Sequence, residues 1–572
     1  MNINHKQKEL FDEFGNAVKL DYKNGCLYLS GEVGSWDDLV RAGLLCAESG
    51  SKTHVVNNIT VRGFTPPVTK TPAFTDNVLD GNSPDVLVIG AGVVGCAIAR
   101  ELARWKLVVL LVEKEYDVSL HSSSRNDGMV HPGIDLRPGL LKKKLNTRGN
   151  RMYTKICDEL NVPFERCGQY LCFRERKLLP SLYLSVPYWL FTGAGRTKVY
   201  TYESLKKREP HISPDIKCAL EFRSAGIVCP YGLTIAYAEN AVQNGVTLSL
   251  DTAVLGMEVK DGRITAVKTN RGTVRPKIVI NAAGVFAEEI AAMAGDRFFS
   301  IHPRRGTNAI LDKKVKRNIN TIYSLMGTQS KEAHTKGGGV VSTADGNVLV
   351  GPDAVEAPFK ENFETTAESI AGTFERQKQS APWLTQKDII TYFTGVRAAT
   401  YEEDFIVEVG RRTKNIIHAA GIQSPGLTAA PAIAVRISKL AVKMLGKTVR
   451  VEKNLDFDPV RPPIVRPTTL SKEERAVLIA REPDYGEILC RCEEVSRGEI
   501  IAAMRRPVPC TTVDGIKRRV RPGMGRCQGG FCSPLIIKLI SETLNIPEEK
   551  VKKGTQGSEP LLGPKGGPDE NV

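Results

Sequence analysis

The chain has 572 residues, 41% of them hydrophobic and 25% charged, and its 79 Lys and Arg against 64 Asp and Glu leave a net charge of +15. This length exceeds a single core and implies about three to five folding units, and the composition excludes a chain that is disordered or fibrous throughout. The positive surplus favours anionic ligands, acidic partners or an anionic membrane surface; nucleic acid is not expected as a partner, because the Lys and Arg are scattered, aromatics are 6%, and no helix-turn-helix, zinc-finger or RNA-motif signature is present.

The start, MNINHKQKELFDEF, has no apolar stretch of signal-peptide type, and apolar runs such as residues 107–112 fall far short of the roughly 18–20 residues that span a bilayer. The expected location is cytoplasmic, peripheral to the inner face of the membrane only through a partner or the protein surface. Residues 17–62 alternate as strand, strand, helix, strand: AVKLDY, CLYLSGEV, WDDLVRAGLLCAES and THVVNNITVRG. This pattern resembles a BON domain, an α+β module here assigned to residues 1–65; the alternative is an accessory module that packs on the main body or on another subunit. The Pro- and Thr-rich stretch that follows, through residue 83, reads as a linker over 66–83.

A body over residues 84–450 then alternates strand-like and helical runs, as α/β domains do. It opens with PDVLVIGAGVVGCAIARELAR, an apolar strand followed by Gly90, Gly92 and Gly95 and a helix. Gly90 permits the turn, Gly92 lets the backbone approach a pyrophosphate, and Gly95 allows close helix–strand packing, leaving the helix N-terminus to stabilise phosphates. The next strand, LVVLLVEK, ends in Glu113, 23 residues after Gly90, at the spacing of a carboxylate that holds an adenosine ribose. This fingerprint fits NAD and FAD equally.

Further along come SSSRNDGMVHPGIDLRPGLLKKKL, VINAAGVFA, HTKGGGVVSTADGNVLVGP, GVRAATYEEDF and HAAGIQSPGLTAAPAIA, in that order. Together they resemble the D-amino-acid-oxidase-like FAD superfamily, in the branch containing L-2-hydroxyglutarate dehydrogenase and anaerobic glycerol-3-phosphate dehydrogenase. The resemblance implies a Rossmann-like FAD-binding domain with an interleaved antiparallel-sheet substrate domain. It puts Ser123, Arg125 and Asn126 beside the FAD diphosphate and towards the flavin, Val254 at the adenine, and Ala283 and Gly284 in a small-residue turn near the cofactor. Gly421, Gly426, Leu427 and Thr428 precede or open an Ala-rich helix whose N-terminus would stabilise negative charge at the flavin.

Oxidation of a secondary alcohol or amine over a flavin needs a group to take the hydroxyl or amine proton and a cation to fix the acid group. By the resemblance, His131 in GMVHPG is the base and Arg397 in GVRA the cation; Arg305 and Lys336 are further cation candidates. Where the hydroxyglutarate branch has a Tyr-rich stretch this sequence has GIDLRPG, and the phosphate-binding pattern of the glycerol-3-phosphate enzymes is not evident. The expected substrate is therefore a small anionic hydroxy acid or polyol phosphate.

Beyond a linker at 451–485, residues 486–546 hold Cys490-x-Cys492 and, after 34 intervening residues, Cys527-x4-Cys532, four of the thirteen cysteines. Four thiolates in two short loops suit an iron–sulfur cluster or zinc; the glycines of GMGRCQGGFC supply amides for cluster sulfurs. The segment resembles the 2Fe-2S domain of bacterioferritin-associated ferredoxin, which implies these four as ligands and Cys510 as a bystander. Residues 547–572 read as a disordered tail. FAD and a 2Fe-2S cluster in one chain point to a dehydrogenase that passes electrons to a redox partner subunit or carrier. The alternatives are an electron-transfer subunit of a larger flavoprotein complex, an amino- or imino-acid dehydrogenase subunit, and a scaffold led by the N-terminal module.

Overall fold

The computed structural model describes residues 2–326, 338–447 and 450–561; Lys336 and the last residues of the expected tail lie outside them. The N-terminal module has the expected order, with strands Val18–Lys23, Cys26–Val33 and His54–Val61 around the helix Trp36–Cys46, preceded by a further helix, Ile3–Phe14. The first two strands pair antiparallel and the second and third parallel. The module is seated on the body. Tyr401 is a member of its hydrophobic core, donor Asn57 reaches the Tyr401 hydroxyl at 2.9 Å, and the backbone of Val55 donates to Glu402 at 2.7 Å.

The body is built on a six-stranded sheet in the order Thr247–Ser249, Val109–Val112, Val86–Ile89, Ile278–Asn281, Ile416–Ala420 and Ile406–Val409, all parallel except the last. VLVI, VLLV and IVIN are buried along their whole length, as strands covered on both faces must be. A second, nine-stranded sheet is dominated by the antiparallel pair Ile301–Leu311 and Ile389–Thr400. The second sheet meets the loop that follows Val109–Val112 where Gly395 approaches Arg125 so closely that a Cβ would lie 2.4 Å from its carbonyl oxygen. This is the α/β architecture expected from the sequence, with the helical C-terminal segment as a separate small core.

The segment expected as a linker at 451–485 contains the helix Lys472–Arg481, closed by a Ser471–Glu474 capping box. The tail reading fails for its first part. Residues Glu548–Lys550 form a helical turn, Val551 is fully buried, and the carbonyls of Lys552 and Lys553 accept from Val513 and Asp514; one buried apolar side chain and two backbone bonds to a neighbouring helix outweigh a Gly/Pro-rich composition.

Contact between module and body depends on a missing side chain: a Cβ on Gly43 would come 2.2 Å from the Tyr401 ring. Replacing Gly43 by Val is expected to cost about 1–3 kcal/mol of docking through overpacking. Limited proteolysis checks it: cleavage within residues 62–72 should accelerate about fivefold or more while the body stays resistant.

Candidate active site and cysteine cluster

The turn after the first sheet strand is as tight as the glycines require. A Cβ on Gly95 would stand 1.8 Å from the Gly90 carbonyl oxygen, and one on Gly90, at φ +100°, 2.6 Å from that of Ala282. Behind the turn, the helix Val93–Leu102 starts without a side-chain cap of its own; Ser123 supplies the acceptor, taking the Val93 amide at 2.9 Å. Glu113 lies against the same turn and accepts from Ala91 at 2.6 Å and from Glu115 at 3.1 Å. Burial raises its pKa, opposed by His121 and those two amides.

Two cavities meet along this line. One, of about 300 Å³, is walled by Gly90, Gly92, Glu113, Val254, Ala283 and Gly284. The other, of about 180 Å³, shares Gly92, Ser123 and Gly284 with it and runs on to Arg125, Asn126, His131, Arg397, Gly426 and Leu427. The structure thus gathers the nucleotide-side and flavin-side candidates along one continuous trough. Gly95, Gly421 and Thr428 stand behind it. Gly421, at φ +62°, turns the chain into the loop before the helix Gly426–Leu445, and Thr428 accepts the His131 amide at 2.9 Å. No side chain caps that twenty-residue helix, so the positive end of its dipole opens on the cavity.

The trough fits a flavin dinucleotide in its donors as well as its outline. Arg125 Nη1 is buried with no hydrogen-bond partner among the described residues, and its guanidinium stacks 3.7 Å from the Phe363 ring. An orphaned cationic donor in such a trough suits an anionic or carbonyl oxygen of a bound group.

His131 is fixed through its backbone: its carbonyl accepts from Asn150 at 2.9 Å and Asn146 at 3.3 Å. Arg397 donates to the carbonyls of Arg305 and Asp353 at 3.3 and 3.0 Å and forms no ion pair among the described residues; the carboxylates of Asp353, Asp127 and Glu356 act on its charge only from beyond contact distance. Burial and the neighbouring Arg304 push its pKa down. Arg305 pairs with Glu364 at 3.3 Å and does not line the cavity. The sequence reading missed its neighbour on the strand. Arg304 is buried and clamped by Glu356 at 2.6 Å and Glu403 at 3.0 Å; Glu403 also accepts from Gln423, which lines the cavity. The only sequence signal was the Arg-Arg pair on a strand, where successive side chains face opposite sides.

The cysteines come together as expected. Cys490 ends the strand Ile488–Cys490, Cys532 precedes the helix Ser533–Leu544, and the Cys492 sulfur lies 3.8 Å from that of Cys490 and 3.9 Å from that of Cys527. No three of the four sulfurs lie within 4.8 Å of one another, so the set is wider than one tetrahedral ion needs, with its sulfurs all about 3.8 Å apart; it suits two metals. The hydrogen bond from Cys532, with the amides of Gly523 and Glu493, brings Cys490 down to about 5. Against burial, the amides of Gly529 and Phe531 lower Cys527. Burial and the neighbouring Cys490 push Cys492 up to about 11, and the hydrogen bond to Cys490 pushes Cys532 up, so the charge within the four is carried first by Cys490 and Cys527. Gly525 has no room for a side chain, since a Cβ would stand 2.5 Å from the Cys492 sulfur. Cys510 is buried in the domain core, where burial pushes its thiol up to about 11.

The cluster domain is bolted to the body by charge. Arg519 meets the buried Asp117 at 2.8 Å, Arg506 meets Glu239 at 2.8 Å, and Arg521 bridges Asp345 and Glu493 at 2.7 and 3.0 Å. Between the two lies a third cavity, of about 350 Å³, which Arg125, Asn126 and Asp127 share with the flavin-side trough and which Lys517, Arg521 and Gln528 close from the cluster side.

Two outcomes are expected. Cys527→Ser abolishes visible cluster absorption and Cys510→Ser keeps it. The second concerns pH: although burial opposes its charge, Glu356 is drawn down to about 2 by His302 and Arg304, so its stabilisation is complete above the ordinary Glu range near pH ~4.3 and is lost as pH falls through about 2. Glu356→Gln should therefore lower Tm at neutral pH, and the gap from wild type should close between about pH 4 and about pH 2 in thermal melts.

The comparisons with known proteins converge on this geometry. Residues 85–440 match the family of FAD dependent oxidoreductases, and residues 488–542 the BFD-like [2Fe-2S] binding domain. A glycerol 3-phosphate dehydrogenase from Caloramator mitchellensis is 41% identical over 84% of this chain and 98% of its own length, and an L-2-hydroxyglutarate dehydrogenase from Nematostella vectensis is 26% identical over 63% and 90%. The solved structure of dithionite-reduced L-alpha-glycerophosphate oxidase from Mycoplasma pneumoniae with FAD bound is 26% identical, covers 67% of this chain and all of its own, and superposes with a TM-score of 0.60. With a trough that fits the dinucleotide and a thiolate set that fits two irons, the chain belongs to the family of FAD dependent oxidoreductases and carries a BFD-like [2Fe-2S] domain at its C-terminal end.

Proposed function

We propose that this FAD- and iron–sulfur-dependent dehydrogenase acts on glycerol 3-phosphate, in preference to a 2-hydroxy acid such as 2-hydroxyglutarate, and delivers the electrons through its cluster to a partner subunit or carrier. The observation that carries this reading is Arg397: a half-buried guanidinium with no ion-pair partner among the described residues, lining the same cavity as His131. Its five donors suit a phosphate or carboxylate, and holding that anion pays part of the guanidinium's burial cost. The likeness to the Caloramator enzyme favours the phosphate.

When bound, FAD supplies the two-electron oxidation and the cluster a one-electron outlet. Arg397 anchors the anion so that the carbinol carbon is presented at a fixed distance from the cavity wall. The His131 imidazole takes the hydroxyl proton as the C–H bond is given up and the carbonyl forms. Asn146, Asn150 and Thr428 hold the His131 backbone, so the imidazole approaches from one direction only. Arg304, neutralised by Glu356 and Glu403, stiffens the strand that bears the anion site without competing for the anion.

The test is an anaerobic visible spectrum of the purified protein before and after glycerol 3-phosphate or 2-hydroxyglutarate. Bleaching of the flavin bands with cluster reduction by glycerol 3-phosphate is expected; bleaching by amino acids alone would overturn the assignment, and no bleaching by any of them would leave an electron-transfer subunit. His131→Asn should lower kcat by about 10²–10⁴ with the flavin spectrum intact. Arg397→Met should raise KM for the phosphate ester by about tenfold or more, checked by steady-state kinetics with an artificial acceptor.

A further inference from the structure

From Leu178 to Gly195 the chain contains no charged residue, a run broken only by Pro, Ser, Thr and Gly. Within it, Leu179–Phe191 forms a helix about 20 Å long. Its inner side is satisfied: Leu182 is buried, and Val186 and Trp189 pack with Val199, Leu220 and Phe222 at the edge of the nine-stranded sheet, the Trp189 and Phe222 rings meeting edge to face at 5.3 Å. Its outer side is apolar and bare. Tyr183 is 58% exposed, Leu184 81%, Tyr188 50%, Leu190 62% and Phe191 91%.

Cations frame this face at both ends. Arg174, Arg176 and Lys177 precede it, Arg196 and Lys198 follow it, and all five are exposed. Of these only Lys177 has a carboxylate partner within 4 Å among the described residues, Glu175 at 2.6 Å.

We propose that the helix Leu179–Phe191 is an interfacial anchor that seats the protein on an anionic lipid surface. An exposed apolar face suits either a protein or a membrane, but one with no charged residue of its own offers a protein partner no ion pair to set register. A bilayer interface asks for what is here: apolar bulk, aromatic rings with polar tips, and long basic side chains placed to reach the headgroups. Unpaired Lys and Arg on both flanks are complementary to anionic headgroups. The helix is too short to cross a bilayer, and no described helix is long and apolar enough to do so; it lies in the interface plane.

The anchor is tested by co-sedimentation of the full-length, cofactor-loaded protein with vesicles of phosphatidylcholine alone or with about 30% phosphatidylglycerol. Wild type should pellet with the anionic vesicles, less so as salt rises from about 0.05 to about 0.3 M. L184E/F191E should lower the partition at least about tenfold with unchanged flavin and cluster absorption, and R176E/R196E/K198E should remove the preference for phosphatidylglycerol. Failure of wild type to bind anionic vesicles, or equal binding by L184E/F191E, overturns the proposal. So does a vesicle-indifferent dimer that L184E/F191E splits, which would make the face a protein interface.

Discussion

The separation of two redox centres in one chain depends on a buried ion pair. Asp117 lies just past the strand Val109–Val112, and Arg519 reaches it from the cluster domain, 402 residues away in sequence. Against burial, Arg519 and Arg518 hold Asp117 charged, so the contact is a fixed hinge-pin, not a surface salt bridge. Removing either partner would leave an unpaired charge inside, so the cluster domain cannot slide or tilt at small cost. Arg521, two residues later at the end of the helix Val513–Val520, repeats the design, tying a loop of the substrate sheet through Asp345 to Glu493 beside Cys492. The docking thus fixes the cluster loop relative to both halves of the body.

Charge inside the body is sorted in the same way. Arg304 is buried with two carboxylates and serves the scaffold, whereas Arg397, its partner across the strand pair, is half-buried and hydrogen-bonds backbone carbonyls alone. A guanidinium left without a carboxylate is costly, and such cost is retained where a ligand relieves it. The N-terminal module bears on the same region, since the turn that seats it through Tyr401 and Glu402 continues into Glu403 and Asp404, the latter accepting the Leu141 and Lys142 amides at 2.8 and 2.7 Å.

What was legible in the sequence was local. Gly90, Gly92, Gly95 and Glu113 sit within one βαβ unit, and the two cysteine pairs lie in short loops, so spacing alone carried their chemistry. His131 and Arg397 came from motif resemblance, and the structure brings them to one cavity. The partners that hold them, Asn146 and Asn150 behind His131 and the Glu356–Arg304–Glu403 chain beside Arg397, meet only through tertiary packing and leave no periodic trace. Arg305 was preferred over Arg304 with nothing in the sequence to say which face of the strand looks inward. The uncharged helix at 179–191 escaped because Pro and Ser interrupt it, and the ordered stretch at 548–553 because composition outvoted one buried Val.

The four ligand cysteines differ in their access to water: Cys490 and Cys532 are buried, Cys527 is intermediate, and Cys492 is exposed, with Phe531 nearby 85% exposed. One edge of the cluster therefore faces outward, where an acceptor can approach closely. The same edge is open to dioxygen and peroxide, which attack exposed thiolate-bound iron first. A route out for electrons and a route in for oxidants would thus be one and the same uncovered sulfur.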